Sequence, residues 1–538
     1  MQINRRKFLK NSSAAVSAAG ISSVLGSPLM AQDTDTLKIA YSARGLKTID
    51  PVKISQGVDG SAIMHIHDKL VDLPRWRFPK TMEELVPRLA SSWSSTPDSK
   101  NWTFKLRKGV KFQKGYGMFS ANDVKATFDR ARDADRIGGV KPKFKNIAEI
   151  IVEDSHTVTF KLKLTDPLFL LSVLSDTDGC VMSAKAIAEK GDEAISMDPI
   201  GTGPYQIETL HQNPSEGLTV VAFKDHWDVR PATERIQFMY MADTTARTLA
   251  IISGDVHMMD GVRAPGWADS IKAKAPELLF DVVSPGSFFT LHFNLTTKPF
   301  DDIRVRQAFC YAIDRNEITT AIAPISKRSY GLNPPSFPGG FTAETIPDDV
   351  AYNYNPEKAK ALLAEAGFPN GFSFKTNTSQ RQDYQSIALM VQDHLRRIDV
   401  DMDLDIMDHS AFHANQNSGG NTLALHSSAL PPVPTYGFAR YLSAEAEVKP
   451  DGGGTNFSHY GVAMPGIDDL LQKALAEPDL SKRLELVQEM DLQVMRDAAL
   501  LHLSTNGFMI VRSPKVDLGF EVESGFTNWP YTQARIIG

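Results

Sequence analysis

Cysteine is almost missing from this chain: Cys180 and Cys310 are the only two in 538 residues. That excludes a disulfide-stapled scaffold and any paired-cysteine zinc site. No run beyond the first 31 residues approaches 18 consecutive apolar positions, so no transmembrane helix is expected. Dense Lys/Arg clusters are missing too, which argues against a nucleic-acid partner, because phosphate binding needs grouped cations. Catalytic signatures are equally scarce. There is no convincing set of Gly-x-Ser-x-Gly, His-Glu-x-x-His, or Ser-x-x-Lys with its partners, and no Lys-Ser/Thr follows Gly201 and Gly203 at P-loop spacing. No cofactor and no catalysis are expected, and a secreted hydrolase is the rival reading from another class.

What is present is ordinary globular material, with 42% hydrophobic and 23% charged residues, over a length that suggests two or three domains. Residues 1–31 stand apart. Arg5, Arg6, Lys7 and Lys10 precede a mild apolar run from Ala14 to Leu25, and a small-residue end follows near Met30-Ala31. This order resembles a twin-arginine export signal, and no cysteine near its end suggests a lipid anchor. Without those four cations, 54 basic residues face 64 acidic ones, a net charge of −10.

The chain is organised around residues 290–318. Leu291, Phe293 and Leu295 alternate with polar residues as in a strand with one buried face. After Pro299, Asp301 or Asp302 is placed to cap a helix carrying Val305, Ala308, Phe309 and Ala312 at helical spacing. Other strands are expected at 37–41, at Trp102–Leu106, at 147–153 and 157–163, at Val400–Ile406, and from Leu500 to Phe508. Ser120 with Asp123 reads as a capping box. Tyr354–Phe368 reads as an amphipathic helix closed by Gly367, and further helices are expected at 60–70, 168–174, 467–475 and 480–495. His409 and His413 would share one face if helical, with His426 in reach. No glutamate sits where a metalloprotease motif needs one, and no metal site is expected.

Four blocks carry a family resemblance: 89–132, Pro199–Ile207, Phe293–Arg315 and Tyr354–Phe368. Together they resemble the family 5 extracellular solute-binding proteins, the peptide and nickel receptors of ABC importers. The resemblance implies an α/β fold, a two-lobed periplasmic binding protein (Venus-flytrap clamp) with an extra subdomain in the first lobe. It implies a lobe I core from 32–70 with 195–287 and 505–538, an extra subdomain at 71–194, and lobe II at 288–504. The implied function is capture of a peptide or peptide-like solute and delivery to an ABC permease, by a monomer in the periplasm. An oligosaccharide, an opine or a metal chelate is the alternative ligand. Cys180 and Cys310 would then lie in different lobes, where a bridge would lock the clamp, so both are expected as free thiols.

The same resemblance points to a pocket loop at 425–436, where peptide binders carry an aspartate that pairs with the ligand's amino group. That aspartate is missing here, so peptides with a free amino terminus are expected to bind poorly. The candidate solute-binding residues are Tyr41, Arg44, Trp267, His426, Ser427, Ser428, Tyr436, Asn456 and Phe457.

Overall fold

A computed structural model describes residues 35–538 apart from 55–56, 75–76, 80, 138–141, 451–453, 522, 526–530 and 538. The export-signal expectation therefore lies outside the described residues. Two long antiparallel strands, Leu279–Phe293 and Leu500–Arg512, hold the rest together. On one side Leu279–Phe293 pairs with Leu423–Ser428. On the other, Leu500–Arg512 pairs with Met258–Asp260, and the sheet continues through Thr36–Tyr41, Arg235–Tyr240, Leu218–Ala222 and Tyr205–Leu210. With Ser326–Arg328 and Ser524–Gly525 attached, it has ten strands. A second sheet of four strands, Ala90–Ser95, Asn101–Leu106, Thr157–Leu162 and Ile147–Asp154, is wholly antiparallel.

Local sequence explains these elements. Trp102, Phe104 and Leu106 are buried on one strand face, as their alternation requires. Asp302 caps the helix Ile303–Ala312 by accepting from Arg304 N at 2.9 Å. The Ser120–Asp123 box opens Ala121–Ala131. Gly367 ends Pro356–Glu365 at φ +95°, a conformation that favours glycine. The helix expected near 168–174 is a π-helix over Leu170–Leu174, with Ser175 N donating to Leu170 O five residues back.

Three apolar cores result. One fills the four-stranded subdomain, including Phe104, Phe128, Phe144 and Phe160, and takes in Val433 from far along the chain. A second surrounds Leu37, Ile39 and Tyr205. The third and largest runs along the C-terminal half but includes Ile251, Met259 and Ile271. Apolar packing thus crosses the expected 287/288 boundary. Cys180 and Cys310 are buried free thiols in different cores. No helix among the described residues is long and apolar enough to cross a membrane.

The ladder between the two long strands is interrupted between Val283 and Ser287. At Gly286 φ is +72°, and a Cβ there would lie 2.1 Å from Asn506 O. Only glycine fits that close approach. The interruption falls just before the expected 287/288 boundary.

Candidate functional site

A cavity of about 1030 Å³ lies beside this interruption, lined by Phe508 and Met509 of one long strand. One wall comes from Ser42, Asp176–Asp178, Arg247 and Asp260–Arg263, the other from Arg381–Asp383, His409, Ala429, Tyr436 and Arg440. The two walls are drawn from opposite sides of residues 287/288, except that 505–538 returns to the first.

Most charges in the cavity are already matched. Arg381 holds Asp383 with two bonds, Nε to Oδ1 at 3.2 Å and Nη2 to Oδ2 at 2.6 Å. Arg263 reaches the same carboxylate from the opposite wall, Nη2 to Oδ2 at 3.8 Å, while stacking on Phe508 and donating to Ser287 Oγ. Asp260 takes Ser42 N at 3.0 Å and lies 3.2 Å from Arg247 Nε. Burial pushes the Asp260 carboxyl up and Arg247 opposes that. Burial pushes the Arg263 guanidinium down, with Asp383 as the main opposing charge. Lys143 Nζ bridges Asp176 at 2.5 Å and Asp178 at 2.7 Å.

The helix Tyr436–Tyr441 is different. Its Arg440 donates from Nε to Tyr441 OH at 3.1 Å and from Nη1 to Tyr436 OH at 3.3 Å. No carboxylate among the described residues pairs with it.

A ladder of imidazoles leads from the cavity into the core. His409 and His413 do share a helix, His409–Asn417, with ring centroids 4.5 Å apart. His413 lies 5.8 Å from His426, and His426 lies 6.3 Å from His292. Burial lowers all four, His409 to about 4 with Arg381 assisting, and His292 to about 3. They are neutral at pH 7. His409 is tethered by Ser379 Oγ at Nδ1 and Arg381 at Nε2. The described residues contain no group of three metal-ligating side chains.

Of the nine expected site residues, Tyr436 lines the cavity. Arg44 is exposed near Asp408, the cap of the His409 helix, whose carboxyl is lowered chiefly by the Ala411 and Ser410 amides, with Arg44 adding to them. Ser427 and Ser428 are half-buried beside it. Tyr384 OH accepts from Ser427 N at 3.0 Å, and Ser428 Oγ accepts from Tyr441 OH. His426 and Phe457 pack together in the interior with centroids 4.7 Å apart. Tyr41 is core, 6.4 Å from the rings of Phe238 and Tyr240, because its strand is central in the large sheet. Asn456 is fully buried, its amide bound to Ser443 O and its Oδ1 to Tyr460 N and Ser458 Oγ. Trp267 opens the helix Trp267–Lys274 and bonds Thr248 Oγ1 at 3.3 Å, away from the cavity lining. Sequence reasoning missed Arg263, Arg381, Asp383 and Arg440. The available signal was Arg-x-Asp at a strand-to-helix turn, and an arginine one helical turn after Tyr436.

The profile of "Bacterial extracellular solute-binding proteins, family 5 Middle" matches residues 84–449. A dipeptide-binding protein of Escherichia coli is 29% identical over 446 residues, 77% of this chain and 80% of that protein. A glutathione-binding protein of Salmonella choleraesuis is 32% identical over 324 residues, 60% of each chain. The structure of a binding protein from A. tumefacien in complex with mannopinic acid superposes with a TM-score of 0.79 at 28% identity, covering 94% of this chain and all of that one. A Helicobacter pylori periplasmic binding protein in complex with a peptide superposes at 0.76, with 25% identity, 94% and 98% covered. The profile match alone spans more than half the sequence, and the chain belongs to the family 5 bacterial extracellular solute-binding proteins.

Proposed function

We propose that this protein captures a small peptide-like or opine-like solute in the cavity beside Gly286 and delivers it to an ABC permease, acting as a periplasmic monomer. The observation that carries this reading is the origin of the walls. Asp260–Arg263 comes from one side of the long-strand crossing, Arg381–Asp383 and Tyr436–Arg440 from the other, and Arg263 already reaches across to Asp383. A solute held by both walls stabilises the closed form by its differential affinity for it, so binding and closure are one equilibrium. In this reading 288–504 moves against 32–70, 195–287 and 505–538, with 71–194 riding on the first lobe. The ladder interruption at Val283–Ser287 is the hinge.

The names of similar proteins, dipeptide-binding and glutathione-binding, and the mannopinic acid complex support a polar, charged solute of that size. Catalysis is not part of the proposal: His409, the cavity's imidazole, has both ring nitrogens occupied and is not free to act as a general base. Native mass spectrometry of protein purified without denaturation is expected to show a co-purified solute. Small-angle scattering is expected to show the radius of gyration shrinking when that solute is returned to stripped protein. Unchanged scattering on saturation would refute the clamp. Export through the twin-arginine route is tested by changing Arg5 and Arg6 together to Lys, which should hold the precursor in the cytoplasm. Normal periplasmic yield of that variant would count against it.

A further inference from the structure

We propose that Arg440, assisted by the Tyr436 hydroxyl, is the anchor for a carboxylate of the transported solute, so that this receptor selects acids at that end of its cavity. The proposal rests on the solute-capture reading and adds the chemistry of one subsite.

The charges of the cavity are distributed unevenly. Asp176 and Asp178 share Lys143, Asp260 has Arg247, and Asp383 has Arg381 with Arg263 behind it. Every one of these carboxylates has a cation, so none is left to receive one from the solute. Arg440 is the reverse case. Its protein acceptors are two phenol oxygens, at Nε and Nη1, and its guanidinium lies 5.5 Å from the Tyr441 ring centre. A guanidinium carries five N–H donors in a planar fork matched to a carboxylate. Two bonds to phenols leave the Nη2 edge without a protein acceptor among the described residues, on a side chain that lines the cavity.

Its surroundings hold it in place without neutralising it. Tyr441 OH is itself fixed, donating to Ser428 Oγ, and the Tyr436–Tyr441 helix is pinned through Phe438, which is fully buried. The neighbouring His426 is neutral. Arg440 is exposed to the cavity, but two phenol oxygens hold its guanidinium, and a preorganised cation binds an anion more strongly than a flexible one does, because little ordering remains to be done. This is the helix that follows the loop where an ammonium-binding aspartate was sought and is missing. The corner carries the opposite charge, so the solute end lodged there is acidic and not amino-terminal.

The test pairs acids with their amides. Mannopinic acid, agropinic acid and N-acetyl-Met-Leu, each alongside its carboxamide form, are titrated calorimetrically into exhaustively dialysed protein and into Arg440→Gln and Arg440→Lys variants. At least one acid is expected to bind at least about tenfold more tightly than its amide, because the amide gives up a charge-assisted bidentate contact to the guanidinium. Arg440→Gln should lose that margin for the acid and leave the amide unchanged, with Arg440→Lys between. The solute-free melting temperature of Arg440→Gln should stay close to that of the parent, since an exposed side chain loses only two hydrogen bonds to phenols. Equal binding of acid and amide by the parent overturns the assignment, and so does an Arg440→Gln variant that keeps the margin. A lowered melting temperature with equal losses for acid and amide makes Arg440 structural, which also overturns it. If no probe of either form binds and scattering never changes, the capture reading falls with it, a pattern distinct from the other three.

Discussion

Arg130 and Arg440 lie in the four-stranded subdomain and at the cavity respectively, and their environments are opposite: Arg130 is buried, whereas Arg440 is exposed where it lines the cavity. Arg130 is 1% exposed and fully matched: Nη1 and Nη2 grip both oxygens of Asp50, at 3.0 and 2.5 Å, and Nε holds Asp192 at 2.5 Å. Asp50 is itself fully buried and also takes Val52 N and Ser196 Oγ. Nothing is left over for a ligand. Arg440 keeps unused donors facing a cavity. The difference teaches where this fold spends charge on architecture and where it keeps charge in reserve for a solute.

The sharpest way to break the comparison is Arg130→Ala. It strands the Asp50 carboxylate in the interior, and removing one partner of a buried pair costs about 3–5 kcal/mol. Chemical denaturation should show a loss of that size, while calorimetry below the new transition should show solute affinity nearly unchanged. If Arg130→Ala is as stable as the parent, matched burial is not what distinguishes the two arginines.

A third buried charge sharpens the contrast from the anionic side. Among the described residues no cation pairs with Asp491: it accepts Leu332 N at 3.0 and 3.1 Å, and His502 Nε2 lies 3.7 Å away, with that imidazole lowered by burial to about 3. Burial raises the Asp491 carboxyl from 3.8 to about 7, opposed by the amides of Leu332 and Asn333. A carboxyl raised in the folded state binds more protons there than in the unfolded chain. Its contribution to stability is therefore complete below about pH 4 and is lost as pH rises through about 7. At about 1.4 kcal/mol per pH unit, the whole loss from pH 4 upward is on the order of 4 kcal/mol, of which about 3 kcal/mol falls above pH 5. Denaturation midpoints followed from pH 5 to 8 should fall in the parent for this reason, and Asp491→Asn should flatten that part of the profile. An identical slope in both proteins would mean that Asp491 is already ionised at pH 5.

How far these charges could be read in the sequence differs by kind. Elements came through where a local pattern determines them: the Ser120–Asp123 box, the Asp302 cap, the strand alternation of Trp102–Leu106, and Gly367 as helix stop all depend on neighbours within a few residues. The π-helical geometry of Leu170–Leu174 did not, because an apolar run has the same composition in either kind of helix. The cavity was legible only at Tyr436 and in the region of His409. Its partners are separated by more than a hundred residues, as Arg263 is from Asp383, and no spacing records that. Tyr41 and Asn456 were drawn to the site by residue type, but a tyrosine on a central strand and an asparagine with all its bonds made inside a loop are architectural. Arg440 went unnoticed because an arginine one turn into a short helix is ordinary until its missing counter-charge is seen.

The smallest expected effect concerns a pair intermediate between the two arginines. Arg483 is 2% exposed and donates to Leu475 O at 2.6 Å and Glu477 O at 3.1 Å, tying together the helices Ile467–Ala476 and Leu480–Arg496. It also lies 3.7 Å from Asp166, which belongs to the four-stranded subdomain and is held there by Leu168 N at 3.0 Å. Leu480 and Val433 pack against the same subdomain's core, so the pair sits where the four-stranded subdomain meets the helix Leu480–Arg496. In the proposed clamp, opening the cavity separates Arg483 from Asp166 while each keeps its local hydrogen bonds. Asp166→Asn removes the charge and preserves the acceptor for Leu168 N, so its cost to global stability should be under about 1 kcal/mol, far below that of Arg130→Ala. The same change should favour the open form: scattering from solute-free protein should give a larger radius of gyration, and affinity for an acidic solute should fall a few-fold without any change in its preference over the amide. A variant that loses several kcal/mol but closes normally would place Asp166 with Asp50 as architecture, and would leave closure to the contacts made by the solute.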